Sequence, residues 1–149
     1  MVAGDAASLV PAAVARVAAG RTTRAVWANE AGGRTFEVGH DPERVFVKWT
    51  PVERAWELEA ETRCLRWAVA FSSVPAVIDE GSDDNGAWLV TTPLHGDNAV
   101  SPRWKAEPAV AVRAIGRGPR ALHDALPVTE CPFWWSAGSD RPTPAVGVQ

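Results

Sequence analysis

The chain has 149 residues, 46% of them hydrophobic, and a formal net charge of −3. This length fits one domain or one lobe of a larger protein, and a mildly acidic balance argues against nucleic acid as a partner, because nucleic-acid-binding surfaces are normally basic. No stretch approaches the roughly 20 consecutive apolar residues that span a membrane, so we expect no membrane partner either.

Cellular location is indicated by the cysteines and by the start of the chain. Cys64 and Cys131 lie far apart with no metal-ligand spacing, which favours reduced thiols in a cytoplasmic protein over a disulfide. Residues 1–20 have no basic start, so they make a poor signal peptide. A short helix over residues 9–19, ended by Gly20, fits them better.

Three strands are predicted next. Residues 22–29 form the first, and residues 34–38 alternate polar and apolar side chains as a half-buried strand does. Residues 45–49 form the third. Glycine-containing turns at 31–33 and 39–42 separate them, so a small antiparallel sheet is expected.

A long helix is predicted over residues 51–70. Thr50 is a suitable N-cap, Pro51 fits the first helical position, and Glu53 completes a capping box. Apolar side chains at helical spacing predict one buried stripe. Its members are Trp56, Ala60, Cys64, Trp67 and Phe71. Glu57 and Glu61 each lie one residue beyond a member of this stripe, so either could point towards the sheet.

The next segment predicts two more strands, at 76–79 and 87–91, with an acidic turn at 81–86. The order of elements up to this point is helix, three strands, helix and two strands. Five strands crossed by one helix indicate the α+β class.

The remaining segments predict less regular structure. Residues 101–104 look like a loop. Residues 108–126 have a helical pattern, but Pro119 follows Gly116 and Gly118, so a second short helix is expected to begin near Pro119. The tail at 136–149 is rich in glycine and proline and is expected to be disordered.

The most informative pattern is a lysine on a strand followed by a helix that carries glutamates. Lys48 lies in the third predicted strand, and the helix after it carries Glu57, Glu59 and Glu61. Protein kinases and their relatives use such a pair to hold the phosphates of ATP. Taken alone, Lys48 would be interpreted first as an ordinary edge-strand lysine.

Several short segments, in order and at matching spacing, resemble the aminoglycoside 3'-phosphotransferases, the ATP-dependent antibiotic kinases of bacteria. These segments cover roughly residues 24–135 and lie at 29–36, 45–49, 58–61, 74–75, 88–91, 97–105, 121–127 and 131–133. The resemblance implies a kinase-like fold, in which an N-lobe and a hinge cover ATP and a helical C-lobe carries catalysis. It implies an N-lobe over residues 1–92 and a hinge with the start of a C-lobe over 93–135, and the tail expected to be disordered follows over 136–149.

The resemblance also implies residues for the phosphate end of ATP. Lys48 would contact the α- and β-phosphates, and Glu61 would pair with Lys48 and orient it. Gly32 and Gly33 would let the backbone of the covering loop approach phosphate. Without a longer glycine motif, however, this glycine pair by itself indicates only a turn.

The adenine end would be held by three further residues. Phe46, two residues before the lysine, would stack on the base, although it could equally be a core residue. The Thr92 carbonyl and the Leu94 amide would hydrogen-bond adenine at the hinge.

The family's catalytic loop reads H-G-D-x-x-x-x-N, and His95-Gly96-Asp97 only imitates it. Pro102 stands where the asparagine should be, and no D-x-G metal motif follows. We therefore assign no catalytic or metal-binding residue, and expect Mg²⁺ only in the full-length family.

The sequence thus predicts an aminoglycoside phosphotransferase by descent, incomplete and inactive as this chain, with ATP as its nucleotide. An aminoglycoside would bind only if a C-lobe were supplied, and a frameshift or premature stop would explain such a chain. The alternatives are a non-catalytic nucleotide-binding remnant, a fragment of a small-metabolite kinase of the choline or homoserine type, and a product without function.

Overall fold

The computed structural model describes residues 10–133, which fall into two compact units. The first comprises residues 10–66 and 75–93, and the second comprises residues 67–74 and 94–133. The domain boundaries at 92 and 135 stay predictions, and the predicted tail at 136–149 lies outside the described residues. In chain order the elements are α1 (Ala12–Ala18), β1 (Thr23–Ala28), β2 (Arg34–Val38), β3 (Val45–Pro51), α2 (Ala55–Ala68), β4 (Val77–Asp83), β5 (Gly86–Thr91), α3 (Pro102–Ala106) and α4 (Pro108–Ala125).

The first unit is built on a five-stranded sheet with the strand order β1-β2-β3-β5-β4. All neighbouring strands are antiparallel. Helix α2 connects β3 to β4, so it is the crossing helix of the sheet. The predicted α+β class, with five antiparallel strands and one crossing helix, is confirmed.

The sheet has an apolar cluster on each face, because successive side chains of a strand point to opposite sides. On one face, Val14 of α1 packs with Val47 and Val90, all at most 3% exposed. On the other, Leu58 of α2 packs with Leu89, which is fully buried. These clusters fix α2 against the face opposite α1.

The start of α2 differs from the prediction. Strand β3 continues through Thr50 and Pro51, which pair with β5, a 3₁₀ turn follows at Val52–Arg54, and α2 begins at Ala55. The predicted capping box is therefore wrong. Thr50 is 4% exposed and serves as a buried strand residue, because pairing with β5 continues two residues beyond the predicted strand end.

The buried face of α2 also differs from the predicted stripe. Leu58, Thr62 and Ala68 are the buried residues, whereas Cys64 and Phe71 are exposed. The helical spacing of the buried residues was predicted correctly, but the predicted side of the helix was wrong. The largest apolar residues do not lie on the side that meets the sheet. Trp67 instead lies 5.3 Å from Phe71 and 5.9 Å from Phe133, measured between ring centroids in the second unit.

Strand β4 is longer than predicted, and the turn after it is shorter than the predicted 81–86. The strand runs to Asp83, and only Asp84 and Asn85 connect it to β5. Gly81 is a strand residue: a Cβ there would lie 2.3 Å from Cζ2 of Trp88, so the glycine makes room for the indole.

Two helices of the second unit differ from the prediction. The predicted loop at 101–104 begins helix α3, and α4 continues without interruption through Pro119. The predicted break near Pro119 is therefore wrong: a proline removes a single backbone donor, and here the residues on both sides keep helical geometry. Within residues 10–133, no helix combines the length and apolar character needed to cross a membrane.

Candidate functional site

Lys48 lies in the interior of the sheet, on β3 between Thr35 of β2 and Leu89 of β5. Because side chains alternate along a strand, Lys48 shares the α2-facing side with Phe46 and Thr50. Its side chain is 39% exposed. A central strand thus holds the backbone of Lys48 in place and leaves the ammonium group accessible.

Helix α2 brings Glu61 to Lys48. Leu58 and Thr62 are buried, and Glu61 lies one turn beyond Leu58 on the same side of the helix. The ammonium Nζ of Lys48 donates a hydrogen bond to Oε1 of Glu61, and the two form an ion pair. Both side chains are about one-third exposed, so the pair orients the lysine more than it stabilises the fold.

Glu57, the other glutamate on this flank of α2, has a different partner. Arg54, in the 3₁₀ turn before α2, donates a hydrogen bond to Oε1 of Glu57. This bond to the Glu57 carboxylate is the main reason that the pKa of Arg54 is raised. The two glutamates that the sequence left as alternatives therefore pair with different cations.

Lys48 and Glu61 line a cavity of about 390 Å³ within the first unit. Glu57 and Arg34 line it as well, together with Trp27, Asn29, Gly33, Thr35 and Trp49. Ligand pockets fall in the range of roughly 300–1,000 Å³ and combine apolar walls with a few directed polar groups. The cavity has that composition, with a lysine whose ammonium group is held by a carboxylate.

The turn between β1 and β2 contributes Gly33 to this cavity. The Gly33 amide donates to Oδ1 of Asn29 at 2.7 Å, and the Asn29 amide donates to the Gly33 carbonyl at 2.9 Å. A Cβ on Gly33 would lie 3.0 Å from the Asn29 side chain, and Gly32 has φ +87°. The glycines therefore allow a tight turn closed by Asn29, and their phosphate contacts stay predictions.

The residues predicted at the adenine end are distributed over both units. Phe46 is half-buried on the Lys48 side of the sheet, with the Arg44 guanidinium 5.8 Å from its ring centroid. Thr92 accepts from the Ala76 amide through its hydroxyl at 2.9 Å and donates its amide to the Ala76 carbonyl at 3.0 Å. Neither bond uses the Thr92 carbonyl.

Leu94, the last predicted adenine contact, belongs to the second unit and is 49% exposed. Its contact with adenine stays a prediction.

The sequence of this chain is similar to those of known phosphotransferases. The chain is 43% identical over 100 residues to an aminoglycoside 3'-phosphotransferase of Streptomyces ribosidificus, a match covering 64% of this chain and 37% of the relative. It is 36% identical over 83 residues to an aminoglycoside 3'-phosphotransferase of Streptomyces fradiae, covering 55% and 31%. The chain resembles the aminoglycoside 3'-phosphotransferases.

A solved structure extends this resemblance to the fold. The crystal structure of an aminoglycoside-3'-phosphotransferase of type VIII matches with a TM-score of 0.52 and 33% identity, over 74% of this chain and 42% of that chain. The chain spans about a third of the length of the two Streptomyces phosphotransferases. No family model matches it.

The tripeptide that imitates the phosphotransferase catalytic loop lies in the second unit. His95, Gly96 and Asp97 are all exposed, and Oδ2 of Asp97 lies 3.8 Å from Nη1 of Arg103. Within residues 10–133, His, Cys, Asp and Glu side chains form no group of three or more that could hold a metal ion.

Some residues of the cavity were not predicted. Trp27 and Trp49 line it, and Asn29 closes the glycine turn. Thr35 could have been found, because it is the β2 residue opposite Lys48 once the two strands are paired. The tryptophans carry no comparable signal, since sheet pairing alone does not show which side chains border a cavity.

Proposed function

We propose that this chain supplies the phosphate-holding part of the ATP site of an aminoglycoside phosphotransferase. Such an enzyme transfers the γ-phosphate of ATP to a 3'-hydroxyl of an aminoglycoside. The observation that carries the proposal is the ion pair between Lys48 on β3 and Glu61 on α2, at a cavity of suitable size. The names of the relatives support the substrate class.

In this proposal, Lys48 donates hydrogen bonds to the α- and β-phosphates of ATP. A lysine on a flexible four-carbon stem binds phosphate as a point charge, so it needs a fixed partner to stay aimed. Glu61 provides that partner, because α2 is anchored to the sheet through Leu58. The backbone at Gly32 and Gly33 would cover the phosphates.

For the base of ATP, we propose stacking on Phe46 and a hydrogen bond to the Thr92 carbonyl. Phe46 supports this because it lies two residues before Lys48 on the same side of β3. The two hydrogen bonds between Thr92 and Ala76 use the amide and the hydroxyl of Thr92, so neither involves its carbonyl.

Transfer of the phosphoryl group needs more than nucleotide binding. It requires bound Mg²⁺ and an acceptor hydroxyl held near a base. The 149 residues contain no H-G-D-x-x-x-x-N motif, since Pro102 replaces the asparagine. We therefore propose that this chain alone binds ATP without phosphorylating an aminoglycoside such as kanamycin.

The experiment is a titration of the chain with ATP, followed by calorimetry and by tryptophan fluorescence. Trp27 and Trp49 line the cavity, so binding should change the emission. The chain has two lysines, Lys48 and Lys105, which makes a matched pair of variants available. Lys48→Met should abolish binding, and Lys105→Met should leave it unchanged.

Two results would contradict the proposal. Equal ATP affinity in Lys48→Met and in the unaltered chain would remove the assigned role of Lys48. Phosphorylation of kanamycin that disappears in Lys48→Ala would show that the chain is competent by itself.

A further inference from the structure

The flank of α2 that faces Lys48 carries two carboxylates. Glu57 and Glu61 are four residues apart, so their Cβ atoms are neighbours on the helix surface at about 5–6 Å. Both line the cavity that Lys48 lines. Lys48 therefore shares the cavity with two carboxylates, and either of them could pair with its ammonium group.

Arg54 forms an ion pair with one of these two carboxylates, that of Glu57. It sits at the end of the 3₁₀ turn, three residues before Glu57, and its guanidinium Nη2 contacts Oε1 of Glu57. Sequence patterns alone do not single out Arg54. The four charges then form two pairs, Arg54 with Glu57 and Lys48 with Glu61.

The charge count shows what Arg54 contributes. On α2 and the turn before it, the two ion pairs match two cations to two carboxylates, and Arg34 of β2 adds a further positive charge to the lining of the cavity. Without Arg54, Glu57 would lose the ion pair that holds it and would be a second negative charge one helical turn from Glu61. Like charges at this spacing repel, and a second carboxylate near Lys48 would compete both with Glu61 and with any phosphate.

We propose that Arg54 is a positioning residue: by holding Glu57, it leaves Glu61 as the partner of Lys48 and keeps the cavity open to a polyanion. The second half of this inference rests on the proposed nucleotide-binding function. The first half, that Arg54 makes Glu61 the partner of Lys48, does not depend on any ligand.

The partner choice is tested without nucleotide, by NMR of ¹⁵N-labelled lysine side chains. Because the chain has two lysines, only two Nζ signals arise, and Lys105 is the internal reference. In Glu61→Gln, the Lys48 signal should shift to that of an unpaired ammonium. In Arg54→Gln/Glu61→Gln, it should return towards the paired position, because Glu57 is released to Lys48.

The effect on nucleotide affinity is tested with ATP and four variants. Arg54→Gln should weaken ATP binding by roughly two- to fivefold, in keeping with an ion pair near the surface. Adding Glu57→Gln should restore the affinity, and Arg54→Lys should keep most of it. Arg120→Gln removes the exposed pair with Asp124 on α4 and should change nothing.

The outcomes are separable. If Lys48 shows the same signal in Glu61→Gln and in the double variant, the inference about Arg54 is wrong. If Glu57→Gln does not restore affinity lost in Arg54→Gln, Arg54 acts through the fold and not through Glu57. If the unaltered chain binds no ATP, the proposed function fails, and the NMR result still decides the partner choice.

Discussion

Gly86 lies against the carbonyl oxygen of Thr50, so closely that a Cβ on the glycine would be 2.3 Å from that oxygen. Gly86 pairs with Pro51 at the start of β5. The glycine therefore lets the end of β3 lie tightly on its neighbour, two residues beyond Lys48. Because α2 follows after a single 3₁₀ turn, this contact also sets where the helix carrying Glu61 begins.

We expect Gly86→Ala to destabilise the fold by about 1–3 kcal/mol, as overpacking does. The clash is with backbone, which cannot rotate away, so the strands must separate. Urea unfolding followed by tryptophan fluorescence measures the change.

Gly116→Ala is the matched control, because a Cβ at this position on α4 meets nothing within 4 Å. There the substitution should stabilise the helix by up to about 1 kcal/mol. Equal stability of Gly86→Ala and the unaltered chain would contradict the close approach of the strands.

Leu89 links the sheet to α2. It is fully buried and packs against Leu58, so Leu89→Ala should cost about 2–5 kcal/mol through lost contacts and a cavity. Ile115→Ala on α4 removes a residue that is 56% exposed and should change stability by about 0.5 kcal/mol or less. Circular dichroism during denaturation measures both, and similar costs at the two positions would contradict the described core.

Lys48 should be shielded from chemical modification when ATP is bound. With ATP at ten times its dissociation constant, acetylation of Lys48 should slow about tenfold, because only the free protein reacts. Lys105 is exposed on α3, and its rate should stay constant. Mass spectrometry of the two lysine peptides measures both rates, and equal slowing at both lysines would indicate an effect of ATP on the reagent.

The stability of the β4–β5 hairpin should decrease in acid because of Asp83. Its carboxylate accepts from the Asn85 amide at 3.0 Å and from the Arg16 guanidinium at 3.1 Å, and these two bonds are the main reasons that its pKa is lowered. A lowered folded pKa contributes stability above the unfolded pKa of about 4. That contribution is lost as the pH falls through the folded value.

Asp83→Asn should therefore be less stable than the unaltered chain at neutral pH, with a difference that shrinks below about pH 4. Urea unfolding across this range measures it. Asp124→Asn, which removes the surface pair with Arg120, controls for a general loss of negative charge. A difference that stays constant with pH would mean that Asp83 acts through hydrogen bonds alone.

Sequence patterns within one element predicted that element correctly where its structure depends mainly on its own residues. Alternation predicted β2 over the residues that form it, and the glycine turn before it was placed correctly. The predictions were wrong where contacts with a distant segment of the chain determine the structure. The buried face of α2 is chosen by Leu89 and its neighbours on the sheet, and the end of β3 is chosen by β5, neither of which is visible in the helix or strand itself.

In the candidate site, too, some residues could be predicted from the sequence and others only from the structure. The lysine and the family register pointed to Lys48 and Glu61, which form an ion pair. Arg54 was missed because an arginine three residues before a glutamate is common on any helix surface. Its importance arises only when Glu57 is seen beside the same cavity.

The contact between Lys48 and Glu61 closes a loop of chain, since the two residues are 13 positions apart. This loop contains the end of β3, the 3₁₀ turn and the first turns of α2, each held by the sheet or by its own backbone bonds. Closing so short a loop costs little conformational entropy. The spacing of the two charges is thus a property of one continuous segment, and we expect it to persist when distant parts of the chain are exchanged for those of a relative.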